Sequence, residues 1–342
     1  MNVRAILLPI VLLSWLASSM PAQEAEKPAL PAPTVQERAE ALLERARHLS
    51  DIRAKDAPAF RLKATFSFVG DNLDPVEGTY TETWVSDSQW RREAVIGNLR
   101  QIDVGGSGKH WLASPDEFPE QANALPSLMV FLPPASLDLA FAFIRERTAS
   151  DVTADCAFSR PVIENLQFVF CFEKKSGVLL ERVSPEKRPR NIVRTACDYG
   201  TFRKFGDYAF PREVVCFEDR HKKISASVVE LSLEPPMNPS LFDPPAGAIE
   251  IGVCSGKSMP PRLSINEFAL PGLDPERVAW LRIWFVVDIK GKPQDIRVLR
   301  SAAKSSNAKT VATVRNWRFK PGTCDGTPMP TPLTMEIPST PR

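Results

Sequence analysis

Histidine is scarce in this 342-residue chain, with only His48, His110 and His221, and the three are far apart. No Cys-x-x-Cys or Cys-x-x-His spacing accompanies them, which argues against a structural zinc site. A GxSxG elbow, an HExxH helix and a readable pair of catalytic carboxylates are missing too, so nothing supports an enzyme and no cofactor is expected. Charge of one sign is also lacking. Lys and Arg number 43 against 41 Asp and Glu, a formal net charge of +2. That balance gives little general pull toward nucleic acid or anionic membranes. A comfortable membrane span needs about 20 apolar residues, and the run from Ala5 to Leu16 is shorter than that. GGSGKH, from Gly105 to His110, resembles a phosphate loop only superficially. Asp103 stands where the Walker pattern needs glycine, and His110 where it needs Ser or Thr, so the run reads as a hairpin turn.

The first 22 residues have the three regions of a secretory signal: Arg4, the apolar core, and small residues at Ala17, Ser18, Ser19 and Ala22. Cleavage would leave a periplasmic protein; an uncleaved N-terminus anchored in the inner membrane is the alternative. Residues 23–36 are a Pro- and Ala-rich tether. From Thr34 to Ser50, Val35, Ala39, Leu42, Leu43 and Ala46 recur at helical spacing, with Thr34 and Glu37 placed for a capping box.

Export changes the meaning of the six cysteines, because disulfides persist in an oxidising compartment. Cys156 and Cys171 flank a turn region around Pro161 to Asn165. Cys197 and Cys216 sit symmetrically about the turn from Lys204 to Asp207. Cys254 and Cys324 remain, to tie the start of the C-terminal region to its aromatic strand and turn. These three pairs are expected.

Between Ala59 and Pro245 the apolar period is mainly two, as in Leu62, Ala64, Phe66 and Phe68, which predicts a meander of strands. The stretch from Glu120 to Thr148 reads instead as helical, on Leu125, Leu128, Met129, Phe131 and Leu132, then Leu137, Leu139, Ala140, Phe143 and Ile144. The prolines between Pro235 and Gly247 mark a boundary, giving domains at 37–247 and 248–342. In the second domain, Leu281, Ile283, Phe285, Val287 and Ile289 alternate, a KGKP turn follows, and Ile296 to Arg300 returns. A helix capped at Ser305 or Ser306 leads to Val-Arg-Asn-Trp-Arg-Phe-Lys-Pro and a final strand containing Leu333, Met335 and Ile337. Arg318 and Lys320 alternate with Trp317 and Phe319, and Lys187, Arg188, Arg190 and Arg194 form a second basic group, read as a solvated loop. The fold class is therefore α+β: a curled antiparallel sheet with helices, then a small ββαβ domain.

At these C-terminal residues the chain resembles the TonB family, in the strand ending at Asp288, Gly291, the Trp-Arg-Phe-Lys-Pro run, Gly326 and Pro328. The family's upstream Tyr-Pro pair is replaced by Pro271 to Pro275. The resemblance implies capture of outer-membrane or other envelope protein segments by strand addition, with Leu333, Thr334, Met335, Glu336 and Ile337 as the binding edge. With no retained span, it implies an adaptor rather than an energy transducer. The N-terminal region is similar to the LolA-like lipoprotein-carrier half-barrels, in KKSGVLLERV (Lys174 to Val183) and in Val228 to Pro245. That resemblance implies a lipid or lipoprotein carrier, whose apolar cavity would be lined by Phe66, Phe68, Trp84, Phe141 and Phe143.

Overall fold

The computed structural model describes residues 32–342 apart from 70–73, 107–108, 116–117, 130–131, 134–137, 150, 188–191, 234–237, 255, 265–279, 301–306 and 339–342. The proposed signal peptide lies outside the described residues, as do most of the tether and the Ser305 or Ser306 cap.

Helix α1 (Val35–Ser50) turns Ala39, Leu43 and Ala46 inward, the stripe its spacing predicts. A first meander follows: β1 (Phe60–Val69), β2 (Pro75–Ser86), β3 (Gln89–Ile96), β4 (Leu99–Gly106) and β5 (Lys109–Ala113). A 3-10 turn at Glu120–Ala124 runs into α2 (Leu125–Met129), a helix of five residues. The second meander comprises β6 (Phe141–Ala149), β7 (Val152–Ser159), β8 (Val169–Glu173), β9 (Leu179–Lys187), β10 (Ile192–Phe205), β11 (Tyr208–Glu218) and β12 (His221–Leu233). After a 3-10 turn at Pro239–Phe242, β13 (Ile249–Ile251) adds to β5. All thirteen strands form one antiparallel sheet, in the order β13-β5-β4-β3-β2-β1-β12-β11-β10-β9-β8-β7-β6. Neighbours in sequence pair locally, and the pairing of β1 with β12 joins the two meanders. Open sheets longer than about ten strands curl, and this one does.

Period two sets which side is buried. On β1, Phe60, Leu62, Ala64, Phe66 and Phe68 are buried while the residues between them are not. They join Tyr80, Trp84, Phe170, Phe172 and Leu179 in a core that also takes in α1 and α2. The other side of the sheet carries a smaller cluster, made of Ala154, Cys156, Val169, Cys171 and Val183.

The fold class expected from the sequence needs correction. Strands make up 57% of the described residues and helices are few, so the chain is mainly β rather than α+β. The stretch from Asp138 to Ile144 is not helical: β6 begins at Phe141 and pairs with β7, while Leu137 lies outside the described residues. Ala140, Phe143 and Ile144 recur at helical spacing, but a register shift between Phe141 and Phe143 brings Ile144 to the same side of the strand as Phe141, and the pairing partner decides the structure.

Among the described residues there is also no clear ββαβ domain. Strands β14 (Ser258–Met259) and β15 (Arg262–Leu263) precede β16 (Trp280–Val287), β17 (Pro293–Arg300) and helix α3 (Asn307–Arg315). Then β18 (Phe319–Lys320), β19 (Thr323–Cys324) and β20 (Thr327–Pro328) intervene before β21 (Thr331–Pro338). These strands divide among three small sheets, β14-β19-β20, β15-β18 and β17-β16-β21. What the alternation does identify is the local core: Leu281, Ile283, Phe285 and Val287 pack with Trp317 and Phe319, and Ile289 lies past the strand end, exposed. Gly291, at φ 75°, is required where it stands, because a Cβ there would lie 1.8 Å from the Phe319 carbonyl oxygen.

All three disulfides form as expected: Cys156–Cys171, Cys197–Cys216 and Cys254–Cys324. The first two join residues directly opposite on neighbouring strands.

Candidate functional site

The helix-facing side of the first meander carries a row of charges. Register places Leu62 opposite Glu82, Glu82 opposite Arg92, and Arg92 opposite Asp103. The next row runs Trp84, Trp90, Gly105, His110. Glu82 is completely buried, which is tolerable only with close partners. Arg53, just after α1, supplies one, gripping the carboxylate through Nε at 3.0 Å and through Nη2. Arg92 Nε donates at 3.2 Å and the Tyr80 hydroxyl at 3.3 Å. Burial alone would raise the Glu82 carboxyl, but the charges of Arg53 and Arg92 outweigh it and hold the group at about 2. Tyr80 is pushed well up, by burial first and then by the Glu82 charge.

Arg53 also reaches across the cover. Its Nη1 donates to the Met129 carbonyl at 3.0 Å, tying the end of α2 to the sheet, and its guanidinium lies 5.4 Å from the Phe60 ring centroid. At the other end of the row, Arg92 stacks 4.3 Å from the Trp90 ring. The Trp90 ring in turn lies against Gly105, where a Cβ would meet its Nε1 at 2.4 Å. His110 packs edge-on against Trp90 and its Nε2 meets Asp103.

From the sequence, His110 has no obvious acid partner; the hairpin corrects this. Pairing Gly105 with His110 puts Asp103, two residues back, on the same face. Among the described residues no serine or cysteine side chain bonds to His110. Nor is any group of three or more His, Cys, Asp and Glu there placed to hold a metal ion. The Arg53–Glu82 pair left no sequence signal, because the two residues meet only once α1 lies across the sheet.

Of the five residues named for a cavity, Phe66, Phe68, Trp84 and Phe141 are 2–6% exposed and share the helix-side core. Phe143 does not join them. It is 39% exposed and stacks 4.5 Å from Phe158, which packs against the smaller cluster on the other side. The proposed peptide edge, Leu333 to Ile337, lies on β21, which pairs with β16 along its length and stands at the margin of its sheet. Leu333 and Met335 lean on the Trp317 cluster while Thr334 is exposed. Trp317 and Phe319 are buried and Arg318 and Lys320 are exposed, the alternation their sequence suggests.

No family model matches the sequence, and no curated protein matches it. Solved structures give distant likenesses. A LolA superfamily protein from Nitrosomonas europaea is 10% identical, with 60% of this chain and 97% of that one covered and a TM-score of 0.40. A DUF1329 family protein from Desulfovibrio piger is also 10% identical, covering 60% and 96% at 0.40. MucB is 13% identical, covering 74% and 80% at 0.29. At these values no argument rests on the likeness, and the fold described above stands on strand register alone. The TonB resemblance of the C-terminal stretch finds no support. No helix among the described residues is long and apolar enough to cross a membrane.

Proposed function

We propose that the chain is a non-enzymatic carrier of acyl chains, working in the periplasm with lipid or lipoprotein as its cargo. The observation that supports this reading is the cover on the helix-facing side. A face rich in Phe, Leu and Trp runs through both meanders, and beside α1 it is closed by the Glu120–Met129 segment, whose helix is only five residues long. A helix that short is not stable by itself; packing and the Arg53 bond to Met129 hold it in place. Its displacement would bare aromatic surface without breaking any strand pairing. The reading of an adaptor that binds envelope proteins by strand addition retains one observation, the margin position of β21. Sheet margins are common in proteins that add no strand, so the carrier reading is preferred.

The test is titration of the purified protein with a fluorescent long-chain fatty acid, followed by native mass spectrometry. Saturable binding of one acyl ligand, competed by unlabelled fatty acid and accompanied by proteolytic opening within residues 120–129, is the expected result. A folded protein that leaves the probe free in solution rules the carrier reading out.

A further inference from the structure

On the side of the sheet away from the helices, a hollow of about 470 Å³ is lined by Arg147, Glu181, Arg194, Ala196, Asp198, Phe217, Asp219 and Arg220. It exists because of Ala196. This small side chain sits on β10 between the longer Arg194 and Asp198, with Val183 opposite it on β9 and Phe217 opposite it on β11. The alternate residues, Cys197 and Tyr199, point into the helix-side core, so the hollow and that core lie on opposite faces.

The charges in the hollow are sorted. At one end Glu181 and Asp198 stand directly across from each other, like charges in register, and Arg147 Nη1 serves only Glu181, at 2.7 Å. Burial and the Glu181 charge together raise the Asp198 carboxyl, against the opposing pull of Arg147. At the other end are Arg194 and Arg220. Asp219 is occupied with the backbone, accepting from the Arg194 amide at 3.3 Å. Among the described residues neither the Arg194 nor the Arg220 guanidinium has an ion partner, and the Asp198 carboxylate accepts no hydrogen bond. The turn holding Arg220 is itself unusual. Asp219 and Arg220 have φ of 48° and 74° in a two-residue hairpin turn where Asn-Gly is the favoured pair. An arginine is thus kept in left-handed backbone at the rim of the hollow.

We propose that this hollow binds a small zwitterion: Arg194 and Arg220 take its oxyanion, Asp198 with Glu181 takes its ammonium, and the linker lies over Ala196 against Phe217. The guanidinium fork matches the oxygens of a phosphate or carboxylate. An ammonium between Glu181 and Asp198 relieves their repulsion, and the Phe217 ring offers a cation a favourable face. Arg194 and Asp198 are four residues apart, about 13 Å between Cα atoms. Both line the hollow, so opposite charges stand toward its two ends. This site is independent of the carrier reading, which concerns the other face.

Calorimetric titration of the whole protein with O-phosphoethanolamine, inorganic phosphate and ethanolamine tests the proposal. Each good charged hydrogen bond lost costs roughly tenfold in affinity, so phosphoethanolamine should bind at least about tenfold more tightly than either half. D198N, R194Q and R220Q should each weaken it by a similar factor. A196L fills the floor and should abolish binding while the urea midpoint shows the protein still folded. Equal affinity for phosphate alone, no binding of phosphoethanolamine, or full binding by A196L overturns the proposal; if A196L fails to fold, undiminished binding by D198N does so. Vesicles of phosphatidylethanolamine decide the source. Sedimentation with them that D198N abolishes points to a lipid headgroup, and binding of the free zwitterion alone points to a soluble ligand, either result upholding the site.

Discussion

The two faces of the thirteen-stranded sheet use the same charged residue types to opposite ends. On the helix side, Glu82 is sealed between Arg53 and Arg92 and every strong contact it makes is internal. On the other side Lys63–Glu230 and Lys174–Glu146 are exposed at both ends, and Arg147–Glu181 is exposed at its arginine. Exposed pairs of that kind contribute little, whereas a buried charge must be matched or it destabilises strongly. The side chains do not differ in chemistry; burial decides whether an ion pair is structural or merely present.

Removing one member of the buried pair should have the largest effect on stability. Glu82→Ala leaves two guanidiniums in the core and should cost about 5 kcal/mol of unfolding free energy, read from urea titration. Phe170→Ala, at a fully buried position in the same core, should cost about 4 kcal/mol in the same measurement. Acid sharpens the contrast. Because Glu82 is held at about 2 in the folded chain against an ordinary value near 4.5, its contribution is present above pH 4.5 and lost as pH falls toward 2. That loss should amount to about 3 kcal/mol, and an E82Q variant should show correspondingly less dependence on pH over that range. The opposite face should respond weakly. Phe143→Ala should cost about 1 kcal/mol, the worth of a partly exposed aromatic stack. Lys63→Ala should leave the urea midpoint where it was.

What the sequence makes legible follows the same division between local and distant pairing. Cys197 and Cys216 lie symmetrically about a tight turn, so their pairing can be read directly. The alternation in Leu281 to Val287 likewise marks the inner face of its strand without help from the rest of the chain. Failures come where the partner is remote. Phe141 to Ile144 reads as helix until β7 is known to lie beside it. Arg53 gives no hint of Glu82, since α1 and its following turn must first cross the sheet. Arg194 reads as part of a basic loop, yet β10 carries it to the edge of a hollow whose floor is an unremarkable alanine. The Asp103–His110 contact falls between these cases, because it is local but depends on the register of a hairpin.

The joining of β1 to β12 also has a consequence for the time course of folding. Each meander can assemble from neighbouring hairpins, but their seam requires the first strand made to wait for the last strand of the second meander. Gln36, whose amide bonds both the Leu139 carbonyl and the Phe141 amide, makes those bonds only after β6 has arrived. Closing such long intervals of chain carries an entropic cost before any contact repays it. Refolding after reduction and denaturation should therefore be slow and strongly dependent on chaperoning of the unpaired β1 edge, with both hairpin disulfides formed early and the seam sealed last.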